Sequence, residues 1–129
     1  MIDGFEMITA EINDHERNVL VPVLVRILST CVGIDRALKN GQIRDILYRE
    51  TRSMPDASRI RKMINHIRIT GLVPCLLASS HGYHVAVSRE EVEAYQQSLR
   101  SRAGAIRCVY DTLEIQKTER FLPAEGVTC

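Results

Sequence analysis

A chain of 129 residues, 45% apolar and 26% charged, has the size and composition of one globular domain that buries a core without staples. The most apolar run, "VLVPVLVRIL" at residues 19–28, is broken by Arg26 and falls well short of the ~20 residues of a membrane span, the N-terminus "MIDGFEMITAE" carries no signal-peptide pattern, and Cys31, Cys75, Cys108 and Cys129 form no CxxC pair, so the expected protein is cytoplasmic, with reduced thiols. The formal net charge of +1 hides an uneven distribution: residues 1–35 hold two basic and six acidic residues, residues 36–72 nine basic and three acidic, and the remainder six basic and seven acidic.

A middle third this basic, inside a balanced whole, points to a local anion-binding face, because solubility alone is served by interspersed signs. The first element is a helix over residues 13–33. Asn13 caps it, Glu16 stands where a capping box needs it, and Gly33 ends it, while Pro22 threatens its middle. Because it is apolar nearly all round after Asn18, it is expected to be buried on more than one side. "RALKN" reads as a short extended link whose Asn40 caps a second helix, "GQIRDILYRE", with Ile43, Ile46 and Leu47 at the helical period. Pro55 and Asp56 then open a third helix.

Projected at ~100° per residue, Ala57, Ile60, Met63, Ile64 and Ile67 of the third helix share one side, the stripe a core requires. Ser58, Lys62, Asn65 and Ile69 lie opposite. Arg59 and His66 line one shoulder, Arg61 and Arg68 the other. No acidic residue occurs between Asp56 and Glu90. Short polar groups flanked by guanidinium groups are what a helix in a DNA major groove uses, the former towards base edges and the latter towards phosphates. Ile69 is the exception, an apolar side chain on the polar face.

Gly71 suits a left-handed stop, and "LVPCLLAS" and "GYHVAV" read as two strands around a tight connection near "SSHG", with Pro74 at the first strand's start. Ser88 and Glu91 form a second capping box, opening a helix from Arg89 to Glu119. Val92, Leu99, Ile106 and Leu113 recur every seven residues along it. Some thirty residues make a rod of ~45 Å, longer than a small core covers, so its apolar stripe is expected to meet the first helix or the same helix of a second subunit.

The order helix, link, helix, turn, basic helix, hairpin resembles a winged helix, and the junction "INHIRITGLVPCLLASSHGYHV" resembles that family closely, with its Gly-Leu-Val step into the first wing strand and Gly-Tyr opening the return strand. With the long following helix and the small size, the chain is similar to compact winged-helix DNA-binding proteins of phages and mobile elements. The resemblance implies a mainly α fold with a small β-hairpin: an N-terminal segment over residues 1–12, a winged-helix domain over 13–88, a long helix over 89–119 and a loose tail over 120–129. It further implies double-stranded DNA as the partner, with Ser58, Lys62 and Asn65 facing bases, Arg59, Arg61, Arg68 and the flanking His66 near phosphates, and Ser80 and His81 at the wing tip. That tip holds no lysine or arginine, which makes the wing the weaker part of the grip.

Other chemistry has little support. Cys75, His81 and His84 lack a neighbouring carboxylate and a shared face, so no metal or other cofactor is expected. There is no glycine-rich phosphate loop and no nucleophile elbow, so the protein is expected not to be an enzyme. The rival to DNA binding is a winged helix that binds another protein, since fold alone does not decide function. The basic third helix favours DNA, with a homodimer held by the C-terminal helices.

Overall fold

The Asn13–Glu16 capping box forms as its spacing predicts. In a computed structural model, which describes residues 12–121, the Asn13 side-chain oxygen accepts from the Glu16 N–H at 2.8 Å and the Glu16 carboxylate accepts from the Asn13 N–H at 3.0 Å. The helix it opens, α1, comprises a π-helical stretch Glu16–Leu20 and an α-helical stretch Val21–Ser29. Pro22 is the physical reason for the change of pitch. It has no N–H to return to the Asn18 carbonyl, and just before it the helix widens so that the Val21 N–H reaches the Glu16 carbonyl.

Helix α1 stops at Ser29, earlier than the glycine at 33 suggested. Gly33 has φ +90° and instead turns the chain into the short 3₁₀ segment Ile34–Arg36. Helix α2, Asn40–Thr51, is preceded by Lys39 as its cap residue, whose N–H donates to the Gln42 side chain at 2.8 Å. Asn40 is therefore the first helical residue and not the cap. Its carboxamide donates to the Ala57 carbonyl at 3.2 Å, tying α2 to the start of α3.

Helix α3, Ala57–Thr70, is capped by Asp56, whose carboxylate accepts from the Arg59 N–H at 2.9 Å. Asp56→Ala is expected to cost about 1 kcal/mol, read as a lower denaturant midpoint at unchanged slope. Gly71 ends α3 at φ +77°. The hairpin strands are shorter than their sequence pattern: β1 is Leu76–Ser79 and β2 is Gly82–Val85. Pro74 falls in the turn before β1, followed by Cys75 at φ +60°. The strands pair antiparallel with Leu77 opposite His84 and Ser79 opposite Gly82, leaving Ser80 and His81 as a two-residue tip.

The link between α1 and α2 also joins this hairpin. Leu38 and Tyr83 exchange backbone hydrogen bonds at 3.1 and 2.8 Å, and Val85 and Gly33 pair the other end at 2.9 Å. Strand β2 thus has hydrogen-bonded neighbours on both edges. The link passes so close that a Cβ on Gly82 would lie 2.3 Å from the Leu38 carbonyl oxygen. Inside, Leu24 and Leu28 of α1, Ile43 and Leu47 of α2, and Ile60, Met63, Ile64 and Ile67 of α3 are fully buried, with Val73 and Leu76 completing the cluster. The expected core stripe of α3 is therefore the observed one, except that Ala57 at its edge is only half-buried.

Helix α4 is Arg89–Arg120, one residue beyond its expected end. The chain divides into two units after Val92, not at the start of this helix. The first turn belongs to the first unit because Glu91 accepts from the Val87 N–H at 2.9 Å and bonds the buried His84 ring at 2.8 Å. These contacts, the Val87 N–H first, hold the Glu91 carboxyl below its usual range. The capping pair with Ser88 is half formed: Ser88 Oγ accepts from the Glu91 N–H at 3.1 Å, but the carboxylate returns to Val87. In the second unit every described residue of α4 from Gln96 onward is exposed. Among the described residues no helix is long and apolar enough to cross a membrane. The expectations for residues 1–11 and for the tail after Phe121 lie outside the described residues.

Candidate nucleic-acid interface

The outward side of α3 carries the polar residues its spacing placed there. Ser58, Arg61 and Asn65 are exposed, Lys62 and Arg68 are half-buried, and Ile69 is 45% exposed. A long cationic side chain that is half-buried lays its methylene stem on the core edge and keeps its charge at the surface. Ser80 and His81 are exposed at the hairpin tip, where Ser79 Oγ accepts the His81 N–H at 3.1 Å and stiffens the turn.

Arg61 and Ser80, nineteen positions apart, line one open hollow of about 300 Å³. Its other polar lining comes from Lys39 and Asn40 at the start of α2 and from Ser79 and Tyr83 on the hairpin. The hollow has two cationic side chains, no carboxylate, and the positive end of a helix dipole at its wall, a set that suits a phosphate group. Neither Lys39 nor Asn40 is a candidate site residue in the sequence, where Asn40 stands only as a helix cap. A lysine ending an extended link at the head of a helix within the basic third was the available signal, but only the pairing of the link with β2 brings it to the hairpin.

Arg59 and His66, the opposite shoulder, are drawn into the fold. Arg59 Nε donates to Glu16 Oε2 at 2.7 Å and its terminal nitrogen to Glu16 Oε1 at 2.5 Å; the Glu16 side chain is 5% exposed and that of Arg59 32%. The Arg59 bonds hold the Glu16 carboxyl below its usual range against the opposing effect of burial. The arginine expected on a phosphate thus neutralises a buried carboxylate and fastens α3 to α1. His66 is half-buried, and burial first, then the Arg17 charge, lowers its pKa. This disfavours the charged ring and weakens the ionic attraction it could offer a phosphate.

The basic third is therefore only partly available to a ligand. Arg59 is held by Glu16, and Arg52 lies over the Tyr48 ring at 5.4 Å. Cys75 and His81 are exposed and His84 is buried against Glu91, and among the described residues no three His, Cys, Asp or Glu side chains come together as a metal site. Comparison with protein-family models, with curated proteins and with solved structures finds no match to this chain.

Proposed function

We propose that this chain is a non-enzymatic winged-helix protein that binds double-stranded DNA in a sequence-specific manner as a homodimer, in a regulatory or DNA-processing role of the phage or mobile-element type. The observation that carries the reading is the meeting of the α3 face with the α2 start and the hairpin tip around Lys39, Arg61 and Ser80. The pairing of the α1–α2 link with β2 supports it as well, because it turns the two-stranded hairpin into a wing hydrogen-bonded to the helical core. In this reading Ser58, Lys62 and Asn65 face base edges, Arg61, Arg68 and Lys39 take phosphates, and the wing tip lies along the backbone.

Phosphate contacts then supply most of the affinity and make it steeply salt-dependent. Two subunits reading successive major grooves favour a two-fold symmetric site with half-sites ~34 Å apart. Selection from a random duplex pool at low salt, followed by anisotropy titrations, tests this directly: an enriched symmetric sequence is expected. Arg61→Ala with Lys39→Ala is expected to weaken binding to that sequence roughly tenfold and to flatten the salt dependence by up to ~2 charges, at unchanged stability. Absence of duplex binding at low salt overturns the proposal. The second reading, a protein-binding winged helix, draws on Ile69 and Leu72, which are 45% and 48% exposed. It predicts that Ile69→Ser abolishes partner binding while Arg61→Ala does not.

A further inference from the structure

We infer that α4 is an antiparallel dimerisation helix, its two copies crossing at Ile106. The inference rests on the homodimer part of the proposed function and adds its geometry. On a wheel at ~100° per residue, Leu99, Ala103, Ile106, Tyr110 and Leu113 fall within about 80° of arc. All are exposed, Ile106 at 70%, Tyr110 at 63% and Leu113 at 57%. A line of apolar side chains over four turns with this much exposure wants a cover.

Charge selects both the occupant and its direction. Arg100 and Arg102 stand before Ile106, Arg107 directly beside it, and Asp111 and Glu114 after it. In a parallel pair opposite flanks meet, which sets Arg100 of each copy beside Arg102 of the other, and Lys117, which lies on the apolar line itself, faces its own copy. Like charges directly opposed destabilise a helix pair. In an antiparallel pair centred on Ile106, Leu99 of one copy meets Leu113 of the other and Ala103 meets Tyr110, large against small. Because antiparallel packing brings identical flanks together, the same alignment sets Arg100 of each copy beside Asp111 of the other, two attractive contacts against one approach of Arg107 to its own copy at the crossing. Lys117, paired within its helix to Glu114 at 3.0 Å, then stands level with Tyr95 and away from its own copy. The exposed pair between Arg107 and Asp111 within one helix, at 3.4 Å, leaves this intact, since such surface pairs contribute little. Every contact invoked lies between residues 95 and 117 of the second unit.

The test uses the full chain with Cys75, Cys108 and Cys129 replaced by serine and Cys31 left in the core. Light scattering at tens of micromolar is expected to give a dimer, and Ile106→Asp a monomer whose first unit unfolds at the unchanged denaturant midpoint. Spin labels placed singly through Ser101→Cys and Thr118→Cys then read direction. With 1.5 Å rise per residue, the antiparallel dimer offsets the two copies' labels along the axis by ~36 Å at 118 and only ~15 Å at 101 and so gives the longer distance at 118, whereas a parallel dimer has no axial offset and gives the longer distance at 101, which lies on the outer side of the helix. A distance at 118 shorter than that at 101 overturns the antiparallel geometry and leaves the homodimer standing. A monomer without any substitution at 106, or a dimer that survives Ile106→Asp, overturns the interface. None of these readouts involves DNA, so loss of the DNA reading is recognised separately.

Discussion

Gly82→Ala is expected to destabilise the first unit by about 3–5 kcal/mol, a large share of the 5–15 kcal/mol that holds a typical domain together. Two costs combine. The backbone at Gly82 has φ +116°, a conformation that L side chains rarely adopt and that costs of order 1–3 kcal/mol to impose on one. The added methyl group would also stand 2.3 Å from the Leu38 carbonyl oxygen and 2.8 Å from the Lys39 nitrogen, and both are backbone atoms that cannot swing aside as a side chain does. Relief requires the link to leave the hairpin, breaking the two hydrogen bonds between Leu38 and Tyr83, each contributing roughly 1 kcal/mol. Denaturant unfolding at neutral pH reads the effect as a large drop in midpoint. A loss of under ~1 kcal/mol would show that the link moves away at little cost. Because Lys39 caps α2 at that contact, the variant is further expected, under the DNA-binding proposal, to lose duplex affinity at temperatures where it remains folded.

Arg59→Ala is the second large effect, and its sign separates structure from function. Removing the guanidinium leaves the Glu16 carboxylate, 5% exposed, without its ionic partner. Breaking a buried pair from one side costs about 3–5 kcal/mol, and the partial exposure of Arg59 places the expectation near about 2–3 kcal/mol at neutral pH. Replacing both partners by apolar residues of similar volume, Glu16→Leu with Arg59→Met, is expected to recover part of the loss, because Glu16→Leu also removes the acceptor of the Asn13 N–H. Acid should narrow the gap. The folded-state pKa of Glu16 is depressed, so its contribution is full above the ordinary carboxylate range and is lost as pH falls below about 4.5 through the depressed value. In the variant the unpaired carboxyl is pushed the other way by burial, and protonation relieves it. The difference between the two proteins is therefore largest at neutral pH and shrinks as pH falls through the carboxylate range to the depressed value. If Arg59 instead served mainly to hold DNA, Arg59→Ala would leave stability unchanged and cut affinity as much as Arg61→Ala.

Arg59 and Arg61 show where sequence reasoning runs out. On the wheel of α3 they are equivalent cations on opposite shoulders, and nothing local distinguishes them. What separates them is Glu16, forty-three positions away from Arg59, whose carboxylate had a sufficient local explanation in the Asn13 capping box. A long-range partner of this kind has no periodic signature. The same holds for Lys39, whose approach to the hairpin depends on the pairing of Leu38 with Tyr83, a contact between two segments that separately read as a link and a strand.

The sequence by itself determined the helices of this protein, the core stripe of α3, the left-handed stop at Gly71 and the hairpin after it, because capping residues, glycine and apolar periodicity act within a few positions of the chain. The heptad spacing of α4 was legible for the same reason. Only the tertiary structure decided which basic residues were consumed by the fold, where the first helix changed pitch and stopped, and why residue 82 must be glycine. Those outcomes depend on which segments come within 3 Å of one another, and hydrogen-bond and steric distances between remote segments leave no mark in local composition.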